Sequence, residues 1–353
     1  MSKGSYLRTC LLLSLLVFVR CGGGEPSPPP VLAYTVKVLP LLPGTSEASA
    51  TAINTNGTVV GYSQIENPAG SSPFEATMWQ DGVASDLGSG VATAINSKNQ
   101  VAGYTFDNQA WFWSESTGRI MIGVLPGSGF DSSLAQAIDE DGTVVGESYV
   151  QSSGAQEGFT WRMDTGLQPV PSLQEIFAVH NGSMAGMGTN EQAAIVSQAM
   201  VTSLGTLGGT FTVATGINGS GHACGWGADS TGATHAFFWK HSIVDLGTDH
   251  TAYSFAFGVN GSDQVVGQIG DSSGMVQARA RLRGRGPAFP RTIDATDRAM
   301  IWTQATGIVN LNTVVVSPDW TLSVANAIND KGEIVGTAFN QALLNQAFIL
   351  EPK

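Results

Sequence analysis

Short apolar segments alternate with turn sequences along most of the chain, and the alternation follows one repeated pattern. Its clearest marker is a small-residue segment that ends in Ile-Asn, as in ATAIN at 50–54 and again at 92–96. Variants recur mostly at intervals of about 42 residues, a period typical of repeats that each form one supersecondary unit. The seven copies lie at 50–54, 92–96, 135–139, 177–181, 214–218, 256–260 and 325–329.

Each repeat predicts four β-strands. A turn rich in Asn, Asp and Gly follows the marker, and these residues favour hairpins because they accept left-handed backbone conformations. A second apolar segment comes next, such as GTVVGYS at 57–63. A third ends in Trp in most copies, as in AFFW at 236–239, and a fourth follows in six of them, as in SIVDLG at 242–247.

The seventh copy has no fourth segment, whereas one unassigned strand, YTVKVLPLL, precedes the first copy at 34–42. We therefore predict that residues 34–42 complete the blade formed by 325–350. A ring closed in this way has no open sheet edge. The sequence predicts an all-β, seven-bladed β-propeller with four-stranded blades over residues 34–353. The fourth copy, FAVHN at 177–181, is degenerate, and whether it forms a full blade stays open.

The composition of the segments supports this order of strands. Ala and Gly dominate the marker segments, which suits the crowded positions nearest the axis of a propeller. The tryptophans of the third segments are expected farther out, where neighbouring blades diverge and volume must be filled. The 44 glycines and the low content of charged residues (12%) also argue against a helical protein.

The chain carries a net charge of −12, with 16 basic and 28 acidic residues. Three of the basic residues (Lys3, Arg8 and Arg20) lie in the first twenty residues, so removal of that segment would leave 13 basic residues and a net charge of −15. Nucleic acid is an unsuitable partner for such a surface, because phosphate binding needs basic side chains. We expect a monomer.

Residues 1–20 have the features of a secretory signal, namely basic residues followed by an apolar run at 11–19. Cys21 follows, and then a tether rich in Gly, Ser and Pro that completes the segment 21–33. This arrangement resembles a bacterial lipoprotein signal and implies lipidation of Cys21, although Arg20 departs from the small residues expected before that cysteine. The two expectations are a cell-envelope lipoprotein held by its lipid anchor alone (outer membrane or surface) and a secreted protein.

The copy at 204–239 carries a recognisable pattern: LGTLGG, an ATGIN strand, a Gly-containing second strand and HAFFW. This pattern resembles the HAF family of extracellular bacterial repeats. The resemblance covers about 35–350 and implies an exported, β-rich repeat protein without a defined activity. Most copies replace the family's histidine, found here as His235, by Glu, Gln or Arg. A repeated catalytic role for that position is therefore not expected.

Three groups of residues could carry chemistry, and each has a simpler structural interpretation. His235 could contact a ligand or could form a hydrogen bond at a loop end. His222 and Cys224 could begin a zinc site, but the repeat region offers no second cysteine. The segment 139–142 resembles the start of a calcium loop, but Val150 occupies the position of the closing glutamate. We predict no catalytic residue, metal site or cofactor.

An insertion at 275–298 interrupts the sixth repeat between its second and third segments. It concentrates basic residues in an otherwise acidic chain, which makes it a candidate loop for an anionic glycan, a lipid headgroup or an envelope protein. The alternative is a solvated excursion without a partner. The candidate ligand-binding residues are Arg279, Arg281, Arg283, Arg285 and Arg291.

Two functions from different classes fit these observations. The first is a non-catalytic, exported binding or scaffold module for a surface glycan or envelope protein, which uses the loops at 64–75, 149–157, 228–234 and 270–298. The second is a hydrolase or lyase that acts on a polysaccharide over the central opening. Ionisable residues gathered near the axis would favour the enzyme, whereas a lining of small and uncharged residues would favour binding or a purely structural ring.

Overall fold

The computed structural model describes residues 32–65, 74–126, 129–150, 155–248, 250–271, 295–317, 319–342 and 344–353. In these residues the chain forms seven four-stranded antiparallel sheets, arranged around a central axis as a seven-bladed β-propeller. The predicted fold class is confirmed. None of the described segments forms a helix with the length and apolar character needed to cross a membrane.

The strands follow the repeats, and we number the blades in the order of the seven copies. Blades 1 to 6 comprise β2–β5, β6–β9, β10–β13, β14–β17, β18–β21 and β22–β25, and blade 7 comprises β26–β28 with β1. The bounds are β1 Tyr34–Val38, β2 Glu47–Ile53, β3 Val59–Gln64, β4 Phe74–Gln80, β5 Val83–Ser89, β6 Val91–Ile95, β7 Val101–Tyr104, β8 Ala110–Ser114, β9 Gly118–Met121, β10 Ser132–Ile138, β11 Val144–Tyr149, β12 Gln156–Arg162, β13 Gly166–Val170, β14 Leu173–His180, β15 Ser183–Gly188, β16 Ala193–Ser197, β17 Met200–Gly205, β18 Gly208–Ile217, β19 Ala223–Asp229, β20 Thr234–Trp239, β21 Ile243–Gly247, β22 Tyr253–Val259, β23 Val265–Gly270, β24 Arg298–Thr303, β25 Gly307–Asn310, β26 Thr321–Ile328, β27 Ile334–Phe339 and β28 Asn345–Pro352.

The ring closes as the sequence predicts, because the first strand completes the last blade. Strand β1 pairs antiparallel with β28, from Tyr34 opposite Pro352 to Val38 opposite Phe348. The backbone N–H of Leu39 extends this pairing by donating to the carbonyl of Ala347 at 2.9 Å. The regular strand covers only Tyr34–Val38 of the predicted 34–42. The predicted role of this segment in closing the ring is confirmed.

The degenerate fourth repeat forms a complete blade of four strands, β14 to β17. Three fourth strands end before the apolar run that contains them. In the run at 120–127, β9 ends at Met121 and Leu125 is buried in a connection. In the run at 167–173, β13 ends at Val170 and Leu173 already begins β14 of the next blade. In the run at 308–312, β25 ends at Asn310 and a short 3-10 helix begins at Leu311.

The inner strand of every blade contains a β-bulge at one equivalent position. In blade 1 the register shifts between Ala50 and Ala52, so Thr51 is the extra residue. The other six inner strands shift at the matching place. Opposite each bulge the second strand carries a glycine, and a Cβ on Gly61 would overlap the carbonyl oxygen of Ser49. The glycine of the repeated Val-Val-Gly segment is thus required by close backbone approach.

The hydrophobic core lies between neighbouring blades. Trp79 at the end of a third strand is 2% exposed and packs against Val335, Ala347 and Ile349 of blade 7. Trp161 likewise packs beside Phe112 of the preceding blade, with ring centroids 5.3 Å apart. These contacts agree with the expectation that large third-strand side chains fill the space between diverging blades.

Candidate functional site

The seven bulges direct one side chain each toward the central axis. They line a cavity of about 210 Å³ together with neighbouring residues of the inner strands. In blade order the bulge residues are Thr51, Thr93, Gln136, Phe177, Thr215, Phe257 and Asn326. No ionisable side chain appears in the lining formed by the described residues. The described lining therefore consists of small, aliphatic, hydroxylic, amide and aromatic side chains.

Four of the bulge side chains connect their blade to the next one. Each donates a hydrogen bond to the carbonyl of the residue that precedes the bulge in the following blade. This places a polar side chain at the axis and satisfies a carbonyl on the free edge of an inner strand. The four bonds are Thr51 Oγ1 to Ala92 O (2.6 Å), Thr93 Oγ1 to Ala135 O (2.8 Å), Thr215 Oγ1 to Ala256 O (2.8 Å) and Asn326 Nδ2 to Ala50 O (2.7 Å).

Three blades depart from this pattern. In blade 3 the amide of Gln136 donates within its own blade, to Glu147 Oε1 at 3.0 Å. In blades 4 and 6 the position is aromatic, with Phe177 partly buried and Phe257 buried. The chemistry of the bulge position therefore differs among blades, with hydroxyl groups on blades 1, 2 and 5, amides on blades 3 and 7, and aromatic rings on blades 4 and 6.

The marker asparagines form a second set of contacts at the turns. Asn54 Oδ1 accepts from the backbone N–H groups of Asn56 and Thr58, which orders its own turn, while its Nδ2 donates to Asn96 O in the next blade. This dual role gives the repeated Asn a structural function. The inter-blade bonds are Asn54 to Asn96 O, Asn96 to Asp139 O, Asn218 to Asn260 O, Asn260 to Asn329 O and Asn329 to Asn54 O.

The inter-blade bonds made by the marker residues change between blades 3 and 4. Blade 4 has a tighter turn in which His180 pairs with Ser183, and Asn181 and Gly182 both have positive φ. Their backbone N–H groups point at blade 3, where Asp139 accepts them at 3.1 and 2.7 Å. The acidic residue that resembled the start of a calcium loop is thus an inter-blade acceptor, matched to a neighbour that presents donors.

Two glutamates face each other between the same blades. Glu147 on β11 and Glu175 on β14 are each about 1% exposed. One oxygen of each accepts an amide hydrogen bond, from Gln136 (3.0 Å) and Gln156 (2.9 Å), and the Oε2 atoms have no partner among the described residues. Burial, and then the proximity of Glu175, raise the pKa of Glu147 well above its ordinary value, and burial raises the pKa of Glu175 to about 8. Such a pair favours protonation, because two buried carboxylates cannot both ionise.

The histidine and cysteine candidates all have protein partners. His235 lies on β20 rather than before it, and its Nδ1 is 2.9 Å from Asp245 Oδ2 on β21. His222 Nδ1 is 2.7 Å from Asp263 Oδ1 of blade 6. Cys224 is fully buried, and desolvation raises the pKa of its thiol to about 12. Within the described ranges, no three His, Cys, Asp or Glu side chains gather where a metal ion could bind.

The two most specific predictions of sequence reasoning fall outside the described residues. These are the lipidation site Cys21 and the candidate binding arginines Arg279, Arg281, Arg283, Arg285 and Arg291. Arg298, at the end of the insertion, is described and opens β24. Its Nη1 donates to the carbonyls of Ala295 and Asp297 at 2.7 and 2.8 Å, so this guanidinium is already hydrogen-bonded to the local backbone.

Sequence reasoning missed the bulge residues and the glutamate pair. A signal for the bulge residues was present in the marker, because in six of the seven copies they occupy the variable position between two small residues in A-x-A or A-x-G. The fourth copy departs from it, with Phe177 between Ile176 and Ala178. The glutamates offered no such signal, since Glu147 and Glu175 lie 28 positions apart in different strands of different repeats. Only the packing of blade 3 against blade 4 brings them together.

Known structures resemble this chain in fold alone. No family model and no curated protein sequence matches it. An acylaminoacyl peptidase from Pyrococcus horikoshii aligns with a TM-score of 0.54 at 9% identity, over 88% of this chain and 52% of the peptidase. The chain thus spans about half the length of that enzyme. An oligogalacturonate lyase in complex with manganese aligns over 92% of this chain and 98% of the lyase, with a TM-score of 0.47 and 9% identity.

Proposed function

We propose that this protein is an exported HAF-type propeller that serves as a non-catalytic binding or scaffold module for a surface glycan or an envelope protein. The observation that supports this proposal is the lining of the central cavity, whose described side chains are small, aliphatic, hydroxylic, amide or aromatic and carry no charge. Such a lining can position a ligand by shape and hydrogen bonds, and its described side chains include no carboxyl, imidazole, amine or thiol group to act as a general acid or base.

The glutamate pair does not support a polysaccharide hydrolase or lyase. A pair of carboxyl groups is the usual machinery for glycoside cleavage, and one raised pKa is typical of its acid. Glu147 and Glu175 are however about 1% exposed, and their amide partners cover one oxygen of each. A polymer bound over the ring has no route to these carboxyl groups, so we assign the pair to inter-blade packing.

Export and lipid attachment belong to this proposal on the strength of residues 1–33. Intact-mass spectrometry of the protein from the membrane fraction tests them together. We expect a chain that begins at Cys21 and carries added acyl mass. A free Cys21 thiol on a cleaved chain would agree with secretion and contradict the lipid anchor. A mature chain that retains residues 1–20 would contradict both export and lipid attachment.

Binding is tested with the full chain, immobilised in a detergent without a sugar head group. It would be exposed to a glycan array and to a solubilised envelope extract, with unrelated β-rich protein as control. We expect retention of a defined glycan or a defined envelope protein. A second preparation in which 277–296 is replaced by a short Gly/Ser linker measures the contribution of the arginines. Loss of binding in this second preparation would assign the anionic ligand to the insertion. Absence of binding by the intact chain to every member of the panel would contradict the proposal.

A further inference from the structure

The outermost strand of each blade is a free sheet edge on the rim of the ring, and natural proteins protect such edges against pairing with other chains. Six of the seven edges are protected by charge, proline or small size. Strands β1, β5, β9 and β21 each contain a charged residue, β13 contains a proline, and β25 has only four residues, all of them partly buried. Strand β17 of blade 4 has none of these features.

Strand β17 (MVTSLG) is six residues long, and its first four residues are exposed. Met200 is 72% and Val201 56% exposed, so apolar surface accompanies the unprotected backbone. The surrounding sequence is also uncharged, because residues 192–228 contain no Asp, Glu, Lys or Arg. The edge is therefore open to pairing, and a second acidic chain can approach it without like charges meeting at the contact.

The turn before β17 determines which backbone groups face outward. The two residues at 198–199 have positive φ values of 50° and 63° and form a two-residue hairpin turn closed by Ser197 and Met200. Along an antiparallel pair, successive residues direct their backbone groups alternately toward and away from the partner strand. Because Met200 faces β16, Val201 and Ser203 direct their N–H and C=O groups away from it. These groups lie on the side where blade 4 has no further strand.

The outward groups of β17 match those of an identical strand turned by 180°. When two copies lie antiparallel about a two-fold axis at Thr202, Val201 of each copy lies opposite Ser203 of the other. Each of these pairs exchanges two N–H···O bonds, while Thr202 lies opposite its own equivalent. Such an interface is closed, because it uses the same edge of both copies and leaves no further edge for growth.

We propose that β17 is a dimerisation edge, occupied by β17 of a second copy of this chain, so that two blades join into one eight-stranded sheet. This inference concerns assembly and does not depend on the proposed ligand. It replaces the monomer expected from the sequence, since charge and composition do not show which strand edges are unprotected. A six-residue edge is much smaller than the ~20–30 residues a side of a stable interface, so we expect a weak dimer.

The test is sedimentation equilibrium of the full chain, in a detergent matched to the solvent density. We expect a monomer–dimer equilibrium that depends on protein concentration. Val201→Lys places a charge on the edge, as four sibling strands do, and should weaken the dimer at least tenfold. Val83→Lys is the matched control, because Val83 is a similarly exposed valine on the outermost strand of blade 1, and it should dimerise as the parent does. Both variants should melt at the temperature of the monomeric parent.

A cysteine at the two-fold axis tests the arrangement of the strands. Thr202→Cys places two thiols at a non-hydrogen-bonded pair, whose Cα atoms are ~4.5 Å apart, within the range that a disulfide spans. Mild oxidation should therefore give a covalent dimer of this variant. The parent, which retains its own cysteines, and Val83→Cys are the controls and should not form that dimer.

Each contrary outcome would overturn a stated part of the proposal. A chain that stays monomeric at every concentration would overturn the dimer. A dimer that tolerates Val201→Lys, or that Val83→Lys weakens equally, would overturn β17 as its site, and a missing Thr202→Cys crosslink would overturn the antiparallel pairing. Retention of an envelope protein by a monomeric chain, lost in Val201→Lys, would assign the edge to that protein instead. None of these results removes the proposed function, which the binding panel measures separately.

Discussion

Asn329 Nδ2 donates a hydrogen bond to the backbone carbonyl of Asn54 at 3.0 Å, across 275 positions of sequence. The bond joins the last blade to the first at the turn edge of the ring, away from the strand pairing that closes blade 7. Its geometry matches that of Asn54 with Asn96 in consecutive blades, so the closing junction uses the same contact as the internal ones.

We predict that Asn329→Ala destabilises the protein more than Asn340→Ala does. Both side chains accept two backbone N–H groups of their own turns. The Nδ2 of Asn329 also donates, to Asn54 O of blade 1 and to Glu333 Oε2 of its own turn. The difference in unfolding free energy should be about 2 kcal/mol, the net contribution of two such hydrogen bonds. Urea denaturation of the two variants measures it, and equal losses would show that the inter-blade bond contributes nothing.

Gly336→Ala should strongly destabilise blade 7. An added Cβ would overlap the carbonyl oxygen of Val324 opposite the bulge, so the backbone must shift, at a cost of about 1–3 kcal/mol or more. Gly258→Ala is the matched control, because its Cβ would meet the nearest atom at 3.4 Å and several sibling repeats carry Ala there. Thermal unfolding compares them, and a tolerated Gly336→Ala would contradict the requirement for close approach.

The glutamate pair predicts an unusual dependence of stability on pH. The folded-state pKa of Glu175 is raised from 4.5 to about 8, so the folded protein holds a proton that the unfolded chain releases between these values. The contribution of the pair is therefore fully present below about pH 4.5 and is lost as the pH rises toward 8. Tyr104 lies close enough to Glu147 for their charges to interact, and Gln136 and Gln156 hold the other oxygens.

Glu175→Gln should remove this dependence, because an amide stays neutral throughout. We expect its melting temperature to decline less than that of the parent between pH 5 and pH 8.5. Asp141, Asp229 and Asp263 have lowered pKa values and add stability that is lost only on acidification, so they act in the opposite direction and remain in both proteins. The exposed Glu115→Gln serves as control. A parallel decline in all three proteins would refute the proton that the folded state retains on Glu175.

Asp139→Asn tests the match between blades 3 and 4. The variant would place an amide N–H₂ group or a weaker carbonyl acceptor against the N–H groups of Asn181 and Gly182. We expect a loss of about 1.5–3 kcal/mol, as for a hydrogen bond to a charged group. Asp229→Asn is the control, since Asp229 Oδ1 accepts only within its own turn. Chemical denaturation that shows no difference between the two variants would contradict the match.

The repeat made the fold predictable to the level of individual strands, because each blade restates the same apolar pattern and the same turn chemistry. Closure by residues 34–42 followed from counting, since one strand was left over before the first copy and one was missing from the last copy. Boundaries failed where burial continued past the end of pairing. Leu125 is apolar because it is covered in a connection, and Leu173 is apolar because it opens the inner strand of the next blade. The apolar pattern alone does not show where one strand ends in either case.

The candidate site was much less predictable. The small residues beside Thr51 and Phe257 indicated a crowded axis, but a bulge is a property of two paired strands, and only the pairing shows which residue turns inward. The meeting of Glu147 with Glu175 depends on the angle between blades. By contrast, the structural role of the marker asparagine was predictable from the sequence, because an Asn that recurs at the same position of each turn must satisfy the same local geometry each time.

The pairing of β1 with β28 has a mechanical consequence. The segment before Tyr34 leaves the ring at the outermost strand of blade 7, on its rim, and the backbone N–H of Lys353 donates to Ala33 O at 3.0 Å beside it. Tension applied through that segment loads the seam that holds the circle shut. A pull along the strand stresses the pairs from Tyr34–Pro352 to Val38–Phe348 together, whereas a pull away from the rim peels them one by one. The direction of loading thus decides whether the β1–β28 pairs break together, which keeps the ring closed up to a high force, or one at a time, which opens the ring at a lower force.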